Sequence, residues 1–225
     1  MTPFSRPPAP AFWATKEERW RQLGPHFGKR DPLNDWTHQG LTLGDQFRER
    51  VGRPSEPTHC AYCDTILMEG SRSTIDHFAP RSAFPDLALA WDNLFPACDL
   101  CNTKYKAEQW SCRLVRPDTD PVDDWFGVDM STGALRASTY VEDRVIRARV
   151  RLTIVVLRLN TERRCKSRLR VIRAMEDAWK KDAATSQRNV SVVDEYVKDG
   201  PYRFLARIVR DALPASTRDP AALAR

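Results

Sequence analysis

Apolar positions change their period along this chain. In the last third Val145, Ile146, Val150, Ile154 and Leu157 recur at spacings of one, four, four and three, which predicts a helix with one buried face. Asn160-Thr161 interrupts the pattern, and further helices are predicted over residues 162–181, 191–198 and 202–213, with Gly200-Pro201 separating the last two. Near the other end, Thr15-Lys-Glu-Glu18 has the form of a capping box ahead of Trp20 and Leu23. A short helix is therefore predicted to start near Thr15 and stop at Gly24-Pro25. Residues 1–12 are rich in proline and read as an unstructured or packed-down arm, residues 26–40 as loop, and residues 41–51 as a second helix. The middle has a shorter period. Residues 74–78 alternate and carry β-branched side chains, so they read as the second strand of a hairpin whose turn is Met68-Glu-Gly70-Ser71. A helix is predicted over residues 102–110, and residues 113–138 read as an irregular, β-like cover with acidic loops.

Cysteine spacing organises this pattern. Cys60-Ala-Tyr-Cys63 and Cys98-Asp-Leu-Cys101 are two matched pairs, the spacing by which a chain wraps four thiolates around one structural zinc. His59 is an alternative ligand beside Cys60. Cys112 and Cys165 are left over and carry no assignment. Between the pairs lie Asp76-His77, Asn93 and, directly after the last cysteine, Asn102. Neighbouring residues of an ideal strand face opposite ways, so Asp76 and His77 can converge only at an irregular strand end, for which Ala79-Pro80 supplies a reason. Asn93 by itself is better explained as a cap or turn residue than as a catalytic one.

The string Asp76-His-Phe-x-Pro-Arg-Ser82, Phe84-Pro-x-Leu87, Trp91-Asp-Asn-Leu94 and Cys98-x-x-Cys-Asn102 resembles the HNH endonucleases. It is most similar to those of bacterial anti-phage systems, the Septu-type and retron-associated kind, which act beside an ATPase. The resemblance covers residues 60–108, and a weaker echo, Leu157-Arg-Leu-Asn160 with the helical basic segment after it, extends it toward residue 175. It implies a ββα-metal core, with His77 as the general base and Asn93 orienting it. It also implies a divalent cation, Mg²⁺ or Mn²⁺, held by Asp76 and Asn102, ions suited to oxygen ligands. One departure stands out: the family's usual lysine three residues past the final His or Asn is Tyr105 here, flanked by Lys104 and Lys106.

Charge sharpens the reading. Residues 1–130 carry 15 Lys and Arg against 19 Asp and Glu, whereas residues 131–225 carry 21 against 11. Eleven basic residues and one acid, Glu162, lie between Arg144 and Arg173. That run predicts nucleic-acid contact through Arg144, Arg147 and Arg151, joined near the core by Arg81, Lys104 and Lys106, with an acidic surface, on a partner protein or on residues 113–130 of this chain, as the other candidate. No apolar segment approaches the ~18 residues of a membrane span, and no export signal is visible, so a cytoplasmic location is expected. The expected fold is α+β. Residues 1–56 form an N-terminal arm with short helices, 57–112 a zinc-clamped nuclease core, 113–138 the cover, and 139–225 a basic helical region. The expected function is a metal-dependent endonuclease, on DNA before RNA, working with a separate ATPase subunit in phage defence. A zinc-knuckle binder or a scaffold without catalysis is the rival, and a nickase or an RNase a variant.

Overall fold

A computed structural model describes residues 1, 3–27, 29, 35–51, 58–67, 73–185 and 190–212. The expected turn at Met68-Glu-Gly70-Ser71 lies outside them, as does the tail beyond residue 212.

The proline-rich arm is packed down. The Phe4 ring meets Phe95 at 5.4 Å between centroids, and the Phe4 N–H donates to the Pro117 carbonyl. The Arg6 guanidinium donates to the carbonyls of Trp91 and Leu94, both at 2.7 Å, and pairs with Asp118. Helix α1 (Ala11–Leu23) begins four residues before Thr15, with Pro10 at its N-cap, and Thr15 lies inside it. Pro10 is extended and makes no side-chain cap; burial of Trp13, whose indole N–H donates to the Leu89 carbonyl, outweighs the local capping signal. Gly24 closes the helix at φ 50°, a conformation glycine adopts without strain. The region read as loop contains a small hairpin, β1 (Thr37–His38) with β2 (Leu41–Thr42), turned by Gln39 and Gly40. Helix α2 (Leu43–Val51) follows, with the Thr42 hydroxyl accepting the Asp45 N–H. Trp13, Phe27, Leu43, Phe47, Leu89, Trp91 and Leu94 form one buried cluster, which fastens the N-terminal helices to the segment running into the next strand.

Strand β3 (Ser73–His77) pairs antiparallel with β4 (Leu94–Cys98), Ser73 opposite Cys98 and His77 opposite Leu94. This corrects the expected hairpin: the partner of β3 is the strand that follows it. Pairing this way sets Leu94, Phe95 and Ala97 in the core. It also carries the second cysteine pair to the start of β3, while the Ala61 N–H bonds the Pro96 carbonyl and draws in the first pair. Helix α3 (Lys104–Glu108) is shorter than predicted because the Thr103 hydroxyl caps it, accepting the Lys106 N–H, so Asn102 stays outside.

A short turn of helix, α4 (Val122–Trp125), leads into the hairpin β5 (Phe126–Val128) and β6 (Leu135–Ala137). Four helices complete the described residues: α5 (Arg144–Val156), α6 (Glu162–Thr185), α7 (Val190–Lys198) and α8 (Arg203–Ala212). Asp143 caps α5 by accepting the N–H groups of Val145 and Ile146. Val150, Val156, Leu157, Leu159, Ile172, Met175, Phe204, Leu205 and Val209 pack in the same buried cluster as Phe95, Ala97 and Leu114. At roughly 1.5–3 kcal/mol for each large side chain fully buried, this shared core ties the helical region to the cysteine-bearing core. The fold is α+β, with small two-stranded sheets among helices.

Candidate nuclease site

Each cysteine pair sits in a tight backbone turn. The Asp64 N–H bonds the Cys60 carbonyl, and the N–H groups of Cys101 and Asn102 share the Cys98 carbonyl, both at 3.0 Å. The four sulfurs lie within 4.8 Å of one another, with Cys63 Sγ 3.6 Å from Cys98 Sγ. A tetrahedral Zn–S length of about 2.3 Å sets an S–S edge of about 3.8 Å, so the set could clamp a zinc with little movement. Among the described residues it is the one convergent group of three or more Cys, His, Asp or Glu. His59 turns instead to the Gly200 carbonyl at 3.1 Å.

The strand expected to become irregular stays paired through His77, so Asp76 and His77 face opposite ways. Asp76 goes inward, 4 % exposed. Its Oδ2 accepts the Tyr62 hydroxyl at 2.5 Å and the Lys106 ammonium at 2.7 Å. Lys106, expected at the nucleic-acid face, is 1 % exposed and also donates to the carbonyls of His77 and Phe78. That expectation is corrected: Lys106 is an internal brace. Burial raises the Asp76 pKa and lowers that of Lys106, each opposed by the partner's charge. Asn102 lies on the Asp76 side of β3, beside Thr74, two residues before Asp76. Its Nδ2 donates to Thr74 Oγ1 at 3.1 Å and the Ile75 carbonyl at 3.2 Å, which turns the amide oxygen away from the strand.

His77 turns to the other side, where its Nε2 lies 2.8 Å from the Ala88 carbonyl. A carbonyl only accepts, so Nε2 carries the proton and Nδ1 keeps a lone pair. Burial lowers the His77 pKa from its usual 6.5, with the Arg81 charge adding to the fall. Asn93, 3 % exposed, makes no bond to the ring. It braces the loop that presents Ala88 by accepting the Ala79 N–H at 2.8 Å and donating to the carbonyls of Ala79 and Leu87 at 3.1 and 3.0 Å.

Arg81 and Lys104 are exposed, Lys104 alongside Glu108 at 3.5 Å. Arg144, Arg147 and Arg151 are exposed on α5, opposite the buried Val150, Thr153 and Val156. Other members of the basic run turn inward. Arg149 pairs with Asp120 at 2.6 Å, Arg164 meets the cysteines, and Arg168 bonds the carbonyls of Gly133 and Leu159. Tyr62, Arg158 and Arg164 take positions near the site that local spacing does not reveal. Tyr62 left a faint signal as a large residue inside a cysteine knuckle. Arg158, whose guanidinium lies 5.6 Å over the Tyr105 ring, and Arg164 were hidden in the charge run.

Residues 60–108 match the family model described as HNH endonuclease. Septu protein PtuB of Bacillus thuringiensis is 41% identical over 46 residues, which are 20% of this chain and 18% of that protein, so the likeness spans less than a fifth of the relative's length. The knuckle-bound strand pair bearing His77, with Asn93 bracing its loop and Asn102 at its edge, lies within the matched stretch, so residues 60–108 carry a domain that matches the HNH endonuclease model and is similar to the Septu protein.

Proposed function

We propose that this chain is a metal-dependent endonuclease that hydrolyses phosphodiester bonds, on DNA before RNA. The observation that carries this reading is His77: a neutral imidazole with its Nε2 proton committed to the Ala88 carbonyl, and therefore a basic Nδ1. Such a ring takes a proton from an attacking water, typically worth about 10²–10⁴ in rate. Asn93 positions the ring through the loop that offers its acceptor, and the exposed Arg81, whose charge is felt at His77, would meet a phosphate oxygen. Asp76 and Asn102 are the hard oxygen donors that would hold Mg²⁺ or Mn²⁺; they lie across β3 from His77, with the carboxylate paired to Lys106, so an ion beside the His77 ring requires the strand end to turn. When bound, that ion supplies charge neutralisation at the phosphate and the leaving oxygen. The four cysteines hold a structural zinc, and Arg144, Arg147 and Arg151 grip the backbone of the substrate. By likeness to the Septu nucleases, the chain serves anti-phage defence beside an ATPase partner.

The test is cleavage of supercoiled plasmid with Mg²⁺ or Mn²⁺, comparing the protein with His77→Ala at equal zinc content. Nicking or linearisation lost in the variant supports the reading. A second reading is a zinc-knuckle binder without catalysis, and the ammonium already seated on Asp76 favours it. Plasmid retained in a filter or gel shift but left uncut by the wild type, alone and with its ATPase, would establish that alternative.

A further inference from the structure

We infer that Arg164 is the outer wall of the four-cysteine site, so that the metal and the C-terminal helices hold one another in place. The side chain is 6 % exposed, near the start of α6. Its Nη1 donates to the carbonyls of Leu157 and Arg158, at 2.8 and 3.2 Å, where α5 ends. Its Nη2 points at the knuckles, 3.1 Å from Cys101 Sγ and 3.9 Å from Cys98 Sγ. No carboxylate bonds Arg164 among the described residues. A buried guanidinium without a carboxylate is satisfied by carbonyls or by another anion, and for Arg164 the sulfurs are the anions within reach.

The site has the complementary need. A divalent ion with four thiolates carries a net charge of −2, and this one is enclosed: Cys60, Cys63 and Cys101 are all buried. One cation that donates to sulfur without ligating the metal offsets half of that charge and fixes the aim of Cys101. Thr65 sits at another corner, its Oγ1 3.2 Å from Cys63 Sγ. The fork of the guanidinium matters as much as its charge, since one arm secures the end of α5 while the other reaches the knuckle.

The zinc-loaded full chain supplies the test. Arg164→Met and Arg164→Lys are compared with Arg168→Met, which alters a second buried arginine one helical turn on, bonded mainly to carbonyls. Zinc transfer to the chelating dye 4-(2-pyridylazo)resorcinol is read beside the melting temperature with and without chelator. Outer-shell partners of metal ligands typically contribute 10–100-fold in affinity, and Arg164→Met is expected to lose that much. Arg164→Lys is expected to fall between it and wild type, and Arg168→Met to hold zinc as wild type does, whatever its melting temperature. Equal zinc loss in the Arg164→Met and Arg168→Met proteins would reduce the effect to general packing and overturn the inference. If Arg164→Met does not fold, the lysine variant decides, and wild-type zinc affinity there is the overturning result.

Discussion

His77 and Lys106 depend on burial in opposite senses. Burial keeps the His77 ring neutral, so its proton is lost at a lower pH than 6.5. Under the nuclease reading, the acidic limb of the pH–rate profile should have its midpoint below 6.5 and vanish in His77→Ala. The same shift makes the folded chain bind fewer protons than the unfolded one as pH falls through 6.5, so His77 lowers stability on acidification. Lys106 is charged in a place that would expel an unpaired charge, and it holds Asp76 and two strand carbonyls together. Lys106→Ala leaves Asp76 buried with only Tyr62. A loss of about 3–5 kcal/mol is expected in chemical denaturation, far more than removal of the exposed Lys104 should cost.

Among the elements, α8 is held by a residue from the far end of the core. Asp64, just past the first knuckle, accepts the Phe204 N–H at 3.1 Å and the Arg203 guanidinium at 3.0 Å, capping the helix as a local Asp would. Its own carbonyl accepts the Tyr202 N–H. Asp64→Ala should cost roughly 1–3 kcal/mol and raise amide exchange first in the opening turn of α8. Close approach also fixes the β5–β6 turn. A Cβ at Gly133, where φ is 71°, would come within 2.5 Å of the Cys165 carbonyl on α6, so no other residue fits there without moving the helix.

At the scale of the molecule, charge is sorted by side. Acidic residues of the cover neutralise part-buried arginines, Asp118 taking Arg6 and Arg116 and Asp120 taking Arg149, while Asp123 takes Arg207 at the surface. Arg144, Arg147 and Arg151 have no such partner among the described residues and remain on the outer face of α5. Replacing all three with Ala should flatten the dependence of log K on log salt by about 0.9 for each phosphate no longer neutralised, while His77→Ala leaves the slope unchanged. No helix among the described residues is long and apolar enough to cross a membrane.

The four-cysteine set, the helices of the C-terminal region and the HNH motif are legible from the chain alone, because each is written in local spacing. Which side chains meet depends on the packing of the whole chain. The partner of β3, the opposite facing of Asp76 and His77, and the division of one basic run into buried and exposed arginines all depend on chain segments far apart. Lys106 and Arg164 make the reason plain: a charged residue in a polar stretch reads as solvated, and only the packed chain brings it the anion that makes burial tolerable.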